Sequence, residues 1–298
     1  MLVPEPSCDI TSPVAPVRIT VVTACLNMAS YLASTIEATL ANLGPDDEYF
    51  IIDGGSNDGS VEVIRRYADR LTGWISEPDT GYADALGKGF ARAGGDVLCW
   101  INAGDLLLPG AFDVVRAEFR RQVDLVFGDD FYIDEGGRVL SFSRGWIADL
   151  RSAMLFGGWT PLQDACFWRR SLYEAVGGID RGLRYAADYD LFLRMSGRGR
   201  CEYLPLAFSA FRQHPGQKSI AGSARYRAER RVARLREMAR EDGSVLTKLM
   251  STLWQGFAVR WRVRVSQRGW RRPELHGRDI ASLSCGRYWP AGDEGNAQ

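Results

Sequence analysis

The chain has 298 residues, 46% of them hydrophobic, and its 37 basic and 37 acidic residues balance. A chain of this size can bury a full hydrophobic core and fold as one large domain, with or without an appendage. Its six cysteines form no C-x-x-C pair, which argues against a disulfide framework and a zinc site and favours reduced thiols. No signal peptide is recognisable, and no segment approaches the roughly 18 consecutive apolar residues of a membrane-spanning helix.

The charges are unevenly distributed along the chain. Residues 223–298 carry 16 basic and 8 acidic residues, so the part before them has a net charge of −8. We therefore expect three regions. These are a proline-rich flexible leader at 1–16, a folded domain at 17–222 and a basic, largely helical extension with an irregular tail at 223–298.

The folded region begins with strands and helices that alternate. Apolar, β-branched runs predict strands, and apolar residues at helical spacing predict helices. The predicted strands are 18–25, 48–53, 74–76 and 96–101, and the predicted helices are 27–43, 58–71 and 82–93. This alternation is typical of parallel strands joined by crossover helices.

Beyond residue 105 the pattern becomes mixed. A helix at 110–121 and a strand at 123–128 precede two short runs, 131–133 and 139–142, which predict an antiparallel hairpin. The remaining predicted elements are a strand at 167–170, helices at 171–176 and 188–197, and a strand near 202–206. The sequence therefore predicts an α/β fold with a central mixed, mostly parallel sheet flanked by helices.

Acidic turns follow two of the predicted strands. Asp53 opens the turn Asp53-Gly-Gly-Ser-Asn-Asp-Gly-Ser60, and Asp105 closes Trp100-Ile-Asn-Ala-Gly-Asp105. In open α/β sheets, ligands bind in the crevice beyond the carboxyl ends of the strands. We therefore expect both acidic turns to face one shared crevice, where Asp105 is well placed to hold a metal against a phosphate.

Six motifs in a fixed order resemble one known family. They are Val21-Val-Thr-Ala-Cys-Leu-Asn27, Asp53–Ser60, Ser76-Glu-Pro-Asp-Thr-Gly81 with Asp84 and Lys88, Trp100–Asp105, Phe167-Trp-Arg-Arg170 with Gly177-Gly-Ile-Asp180, and Leu183-Arg-Tyr-Ala-Ala-Asp-Tyr-Asp-Leu-Phe-Leu-Arg194. Over residues 17–222 the chain resembles the inverting glycosyltransferases of family 2, which have the Rossmann-like GT-A fold, and especially those of bacterial surface-polysaccharide clusters. The resemblance implies transfer of a sugar from a nucleoside diphosphate sugar to a glycan or lipid-linked acceptor.

The resemblance also implies the nucleotide contacts. Thr23 and Asp53 would bind the base and ribose, with Asp84 nearby, and Lys88 would face the diphosphate; Asn27, in the first motif, joins this group. A carboxylate accepts hydrogen bonds from uracil N3–H or ribose hydroxyls, and a Lys neutralises phosphate. The alternative for Asp53 is a purely structural role in its turn.

The implied metal is Mg²⁺ or Mn²⁺, held by Asp105. Many relatives have two adjacent acids at this strand end, whereas this chain has Gly104 before Asp105. Mg²⁺ accepts such a site because it often uses one or two carboxylates together with phosphate and water. Asn102 would orient Asp105 or contact the ribose, and His214 would close over the diphosphate near the metal, unless it is simply a solvated loop residue.

The resemblance assigns the general base to Asp188. An inverting transfer needs one carboxylate that takes the proton of the acceptor hydroxyl. The family has a Glu-Asp pair at this helix start, but here Ala187 replaces the Glu, and Asp190 is the second candidate. Asp188 could instead cap the helix. Gln163, Asp164 and Trp159 are expected on the acceptor side.

The basic extension leaves two interpretations open. In residues 249–265, Leu249, Leu253, Phe257 and Trp261 share one helical stripe beside arginines, which suits either an interfacial membrane helix or a helix packed on the catalytic domain. We expect a cytoplasmic protein, with contact to the inner face of the cell membrane as one option. No nucleic-acid module is recognisable, so no nucleic-acid partner is expected.

Two other function classes compete with the glycosyltransferase interpretation. A nucleotide-binding oxidoreductase is disfavoured because no G-x-G-x-x-G follows the first strand. A noncatalytic module that binds sugar nucleotides or glycans remains the alternative, because the family's second metal-site acid and its Glu are replaced by Gly104 and Ala187.

Overall fold

A computed structural model describes residues 16–145, 149–157, 159–214, 217, 223–240 and 274–288. Within these ranges the chain forms one mixed sheet of nine strands. The strands are β1 (Ile19–Cys25), β2 (Glu48–Asp53), β3 (Gly73–Ser76), β4 (Val97–Trp100), β5 (Leu106–Leu107), β6 (Leu125–Ile133), β7 (Val139–Ser143), β8 (Cys166–Arg169) and β9 (Cys201–Arg212).

Eight α-helical segments accompany the sheet in the described part of the chain. They are α1 (Ala29–Leu40), α2 (Ser60–Arg66), α3 (Tyr82–Phe90), α4 (Ala111–Phe119), α5 (Leu150–Ser152), α6 (Arg170–Ala175), α7 (Ala187–Ser196) and α8 (Ser223–Arg240). A π-helical turn follows α5 at Ala153–Gly157, and short 3₁₀ turns occupy Ala68–Arg70, Gln163–Ala165 and Ile280–Ser282.

The first half of the sheet is parallel, in the order β3-β2-β1-β4. Each successive pair of strands is joined by a helix, so the predicted strand–helix alternation is confirmed. The order reverses between β1 and β4, which creates a crevice beyond the carboxyl ends of these two strands. The close approach of α3 to β1 requires Gly89, because a Cβ there would lie 2.4 Å from Val22 Cγ1.

The second half of the sheet mixes strand directions. Strand β8 pairs antiparallel with β4 and β6, while β9 pairs parallel with β6 and antiparallel with β5. The predicted hairpin is confirmed as β6 and β7, although β6 is one long strand where the sequence suggested two. Strand β9 is also longer than expected and runs to Arg212, because its second half pairs with β6 and β5.

Helices cover both faces of the sheet and bury one apolar cluster on each. On the face of α3 and α7, Trp100 stacks on Phe192 with the rings nearly parallel and contacts Trp168 edge to face. All three rings are fully buried, so Trp168 is a core residue as its apolar strand predicts. Aromatic burial on this scale is a major source of stability.

The basic extension begins with α8, which packs against α7. In this arginine-rich helix Ala233 is buried, whereas Val232 and Leu235 are exposed. The leader at 1–15 and the segment at 241–273, with the predicted stripe of Leu249, Leu253, Phe257 and Trp261, lie outside the described residues.

Candidate active site

A cavity of about 640 Å³ occupies the crevice at the carboxyl ends of β1 and β4. This volume is in the usual range for a small-molecule site. We call it the central cavity. Its walls come from the ends of β1, β4 and β9, the starts of α3 and α7, the 160–164 loop and α8. The polar side chains that line it include Asp79, Tyr82, Asn102, Asp105, Tyr132, Gln163, Asp164, Arg184, Tyr185, Asp188, Gln213, His214, Gln217 and Tyr226.

Asp105 lies in the wall of this cavity and is almost fully buried. Its Oδ2 accepts a hydrogen bond from Asn102 Nδ2 at 3.2 Å, as expected from the sequence, and its Oδ1 accepts one from the Arg212 backbone N–H at 3.0 Å. Burial, followed by the neighbouring Asp164 charge, raises the pKa of Asp105 well above its usual value. A cation beside Asp105 would counteract both effects.

The backbone conformation at residue 104 explains why this chain has a glycine in place of the second acid of the family motif. Its φ of +115° lies in a region that side chains disfavour, and a Cβ there would meet Met28 Cε at 3.1 Å. Thr35 stabilises the turn: its hydroxyl accepts from Gly104 N–H at 2.8 Å and donates to the Asp105 carbonyl at 2.9 Å. A carboxylate at position 104 would therefore strain the turn that presents Asp105.

Asp188 lies in the first turn of α7 and also lines the central cavity. Its Oδ1 has no hydrogen-bond partner among the described residues, and it does not cap the helix, since the cap position is Ala186 and no side-chain capping bond forms there. Burial raises the pKa of Asp188 to about 6. A carboxylate with this pKa in the wall of a cavity can accept a proton from a bound hydroxyl.

The backbone before Asp188 is held by two other elements. Glu229 of α8 accepts hydrogen bonds from the backbone N–H groups of Tyr185 and Ala186, both at 2.9 Å. From α3, the Tyr82 hydroxyl accepts a hydrogen bond from Ala187 N–H at 3.0 Å. These contacts satisfy N–H groups that a helix start leaves open and orient the first turn of α7.

The structure separates the two acids of α7. Asp190 does not line the central cavity; its carboxylate is nearly buried and contacts Arg194. Two residues apart on a helix, the Asp188 and Asp190 side chains point in different directions. Asp188 is therefore the α7 acid that a ligand in the central cavity can reach.

His214 lines the central cavity beyond the end of β9, with its ring 5.4 Å from that of Tyr31. Within the described ranges, no three His, Cys, Asp or Glu side chains are grouped so that they could hold a metal by themselves. A metal at Asp105 would therefore need oxygen ligands from the substrate.

Several predicted nucleotide contacts are already engaged within the protein. The Asp53 carboxylate is fully buried and accepts hydrogen bonds from Gly55 N–H, Ser56 N–H and the Ser76 hydroxyl, which fasten its own turn. Thr23 is equally buried and pairs with the Tyr49 hydroxyl at 3.0 Å. Neither residue lines the central cavity, although Cys25, the β1 partner of Asp53, does. Their contact with the nucleotide base and ribose stays a prediction.

The same holds for the other members of that group. Lys88 forms ion pairs with Glu77 at 2.7 Å and Asp84 at 3.5 Å, and Asp84 also binds Arg181 at 2.8 Å. Arg181 is the main cause of the lowered pKa of Asp84. Asn27 has a left-handed backbone and accepts a hydrogen bond from Asn57 N–H at 3.0 Å, which ties the first turn to the second. Asn27, Asp84 and Lys88 do not line the central cavity, and their role in nucleotide binding stays a prediction.

Other residues of the site were not found from the sequence. Arg212 donates to the carbonyls of Gly104 and Glu135, at 2.9 and 2.8 Å, and so clamps the turn of Asp105. Asp130 is fully buried beside Asp164, and Tyr226 reaches the cavity from α8. The pair Asp129-Asp130 inside an apolar strand was the available signal, because carboxylates are rarely buried without a purpose; nothing in the α8 pattern singles out Tyr226.

Comparison with known proteins agrees with this arrangement. Residues 20–176 match the model of glycosyl transferase family 2. The chain belongs to glycosyltransferase family 2. It is 28% identical over 175 residues to a PGL/p-HBAD biosynthesis glycosyltransferase of Mycobacterium bovis, a match that covers 57% of this chain and 66% of that protein. The chain spans about half the length of the first curated relatives it matches.

Solved structures show the same fold. TarS 1–349 of S. aureus, in complex with UDP-GlcNAc, superposes with a TM-score of 0.62 at 13% identity, covering 81% of this chain and 73% of that one. A mannosyltransferase of Pyrobaculum calidifontis, in complex with GDP-Man and Mn²⁺, superposes with a TM-score of 0.56 at 17% identity and covers 88% and 81%. The predicted family and the GT-A fold are thus confirmed.

Proposed function

We propose that this family 2 glycosyltransferase transfers a sugar, with inversion, from a nucleoside diphosphate sugar to a glycan or lipid-linked acceptor. The observation that carries the proposal is that Asp105 and Asp188, 83 residues apart in the sequence, line the same cavity. The transfer needs one group at the diphosphate and another at the acceptor hydroxyl. Asp105 would act at the diphosphate and Asp188 at the acceptor hydroxyl.

The diphosphate end is assigned to Asp105. A buried carboxylate with a raised pKa fits a divalent cation, and His214, which lines the same cavity, would be a second ligand. Mg²⁺ or Mn²⁺ held by these residues and the diphosphate oxygens would neutralise the charge that develops on the leaving nucleotide. Asn102 and the Arg212 backbone N–H keep the Asp105 carboxylate in position.

The acceptor end is assigned to Asp188. Its unpaired Oδ1 takes the proton of the acceptor hydroxyl while that oxygen bonds to the anomeric carbon. The bond from the anomeric carbon to the diphosphate breaks on the opposite face, and the nucleoside diphosphate leaves. Both bond changes occur at one carbon without a covalent enzyme intermediate, so the configuration is inverted.

The acceptor is proposed to be a surface glycan or its lipid carrier. Helix α8 carries seven arginines and two acids, and it exposes Val232 and Leu235 at 45% and 57%. An arginine-rich helix with exposed apolar residues suits contact with an anionic membrane surface. In the part of the chain that is described, no helix combines the length and apolarity needed to cross a bilayer. Action at the cytoplasmic face of the membrane remains a prediction from the sequence.

Nucleoside diphosphate release tests the proposed function. A panel of UDP, GDP and dTDP sugars is incubated with the protein and Mn²⁺, with and without a lipid-linked saccharide acceptor. We expect release from one donor, and its loss in Asp188→Asn with nucleotide binding retained. Binding without release for every donor and acceptor would contradict the proposal and support a noncatalytic binding module.

A further inference from the structure

The wall of the central cavity contains a fully buried carboxylate, Asp164, which the sequence predicts on the acceptor side without a specific contact. Asp164 has no exposed surface, and neither of its oxygens accepts a hydrogen bond from an N–H group of the described residues; the Asp130 carboxyl and the Ser209 hydroxyl lie close enough to lower its pKa. The Gln163 amide oxygen and nitrogen are both buried without a partner in the described part of the chain. Both residues line the central cavity.

A buried polar group without a hydrogen-bond partner lowers the free energy of unfolding, and native proteins normally avoid such groups. Buried polar atoms are almost always hydrogen-bonded, and those that are not need an explanation. A ligand that completes their hydrogen bonds provides one, because the penalty paid in the free protein is then recovered as binding selectivity. The groups that such a ligand could contact here are two carboxylate oxygens, one amide oxygen and one amide NH₂.

Asp164 lines the same cavity as Asp105 and Asp188, the groups proposed for the two ends of the reaction. It is close enough to Asp105 for its charge to raise the pKa of that carboxyl. A sugar that is attached to the diphosphate and attacked from the side of Asp188 would lie in this cavity, against its shared wall.

Asp130 and Ser209 surround Asp164 from the sheet side. Both are fully buried, and the Ser209 hydroxyl lies 3.0 Å from Asp130 Oδ1. The Asp130 Oδ2 also lacks a partner within the described ranges. Burial and the neighbouring Asp164 charge raise the pKa of Asp130 well above its usual value, so the negative charge of this pair lies on Asp164. That charge disfavours a phosphate at Asp164 and favours a neutral ligand that donates hydrogen bonds.

We propose that Asp164 and Gln163 bind the hydroxyl groups of the sugar ring that is transferred, and so select the donor sugar. The proposal rests on the proposed function and extends it to a residue pair outside the motifs of the base and the metal. A carboxylate can accept from two adjacent hydroxyls at once, while the Gln163 amide can donate to one ring oxygen and accept from another hydroxyl. Sites built this way discriminate strongly against sugars whose hydroxyls do not match.

The test compares bare nucleotides with sugar nucleotides. Binding of UDP, UDP-glucose, UDP-GlcNAc, GDP and GDP-mannose is measured by calorimetry, with Mn²⁺ present, for the wild type, Asp164→Asn and Gln163→Ala. Gln122→Ala serves as the matched control, because Gln122 is exposed and does not line the central cavity. Acceptor KM is measured in parallel.

We expect both variants to weaken the preferred sugar nucleotide about tenfold while the bare nucleotide stays within about twofold, since one hydrogen bond is worth a factor of this size. Gln122→Ala should change neither. Equal weakening of the bare nucleotide, or a raised acceptor KM with unchanged donor binding, would overturn the subsite. If the wild type binds no nucleotide, the proposed function itself fails, which is a different result.

Folding of the variants is checked by thermal unfolding. Asp164→Asn removes a buried charge at nearly constant volume, so its Tm should equal or exceed that of the wild type. If Asp164→Asn does not fold, Gln163→Ala decides the question alone, because it changes a neutral side chain.

Discussion

Asp190 is paired with Arg194, with Oδ2 at 2.8 Å from Nε and 2.7 Å from Nη2. Both side chains are about nine-tenths buried. Because Asp190 is held in this pair, Asp188 is the acid of α7 that lines the central cavity. The structure thus distinguishes the two candidates for the general base that the sequence alone left open.

The first prediction compares Asp188→Asn with Asp190→Asn. Asp188→Asn should lower kcat by about 10²–10⁴, the usual contribution of a general base, with an unchanged nucleotide Kd. The folded fraction of Asp190→Asn should keep a kcat close to that of the wild type. Steady-state release of nucleoside diphosphate, with active protein quantified, measures both; the reverse ranking would assign the base to Asp190.

The second prediction concerns the stability of Asp190→Asn. Removal of the charge leaves the Arg194 guanidinium buried without its counter-ion, at a cost on the order of 3 kcal/mol. Chemical denaturation should show this loss of unfolding free energy for Asp190→Asn, whereas Asp188→Asn should unfold at or above the wild-type midpoint. Equal stability of Asp190→Asn and the wild type would contradict a structural role for the ion pair.

The third prediction is the pH dependence of the reaction. The pKa of Asp188 is raised to about 6, mainly by burial, so the carboxylate is protonated and unable to accept a proton below that pH. The kcat/KM should therefore rise with pH through about 6 and then level off. A profile flat between pH 5 and 8, recorded at saturating Mn²⁺ and constant ionic strength, would argue against Asp188 as base.

The fourth prediction tests the contact between α8 and α7. Glu229→Ala removes the acceptor of the Tyr185 and Ala186 backbone N–H groups and should loosen the turn that carries Asp188. Because hydrogen bonds to a charged group contribute about 1.5–3 kcal/mol, we expect kcat to fall at least tenfold. Nucleotide binding should persist.

Two controls accompany this variant. The exposed Arg227, on the same helix, should tolerate Arg227→Ala without loss of kcat. Glu229→Gln, which keeps an acceptor oxygen, should recover part of the activity. An unchanged kcat in Glu229→Ala, or a parallel loss of nucleotide affinity, would show that Glu229 does not position the base.

The fifth prediction concerns stability and pH. Asp129 is fully buried; its Oδ1 accepts from Gly145 N–H at 2.6 Å and the Tyr203 hydroxyl at 2.8 Å, but burial raises its pKa to about 7. The folded state therefore binds a proton that the unfolded state has released, and stability falls as the pH rises from about 4 to about 7. A pKa change of this size corresponds to about 4 kcal/mol at most.

Asp129→Asn removes this titration while keeping an acceptor oxygen. The unfolding free energy of the variant should therefore depend less on pH than that of the wild type, with the difference growing between pH 5 and 7. Urea denaturation at several pH values measures it. Parallel curves for the two proteins would show that Asp129 does not titrate in this range.

Much of the fold was predictable because it is expressed locally. The alternating strands and helices of residues 18–101 follow from apolar spacing, and each predicted element lies within a few residues of the observed one. Motif order alone indicated family 2, and the acid after β4 faces the crevice, as expected for an open α/β sheet. The full length of β9 was not predictable, because its second half is a strand only through pairing with β5 and β6.

The sequence by itself determined the alternation of elements, the family and the presence of Asp105 and Asp188 in motifs, since all of these depend on residues close together in the chain. The tertiary structure decided which charged and polar side chains are paired within the protein. Lys88 is paired with Glu77, and Asp53 holds its own turn, whereas the Gln163 amide in the cavity wall has no partner in the described part of the chain. Whether a polar group is hydrogen-bonded depends on partners that folding brings to it. Because these partners are often distant in the sequence, local sequence patterns do not predict them.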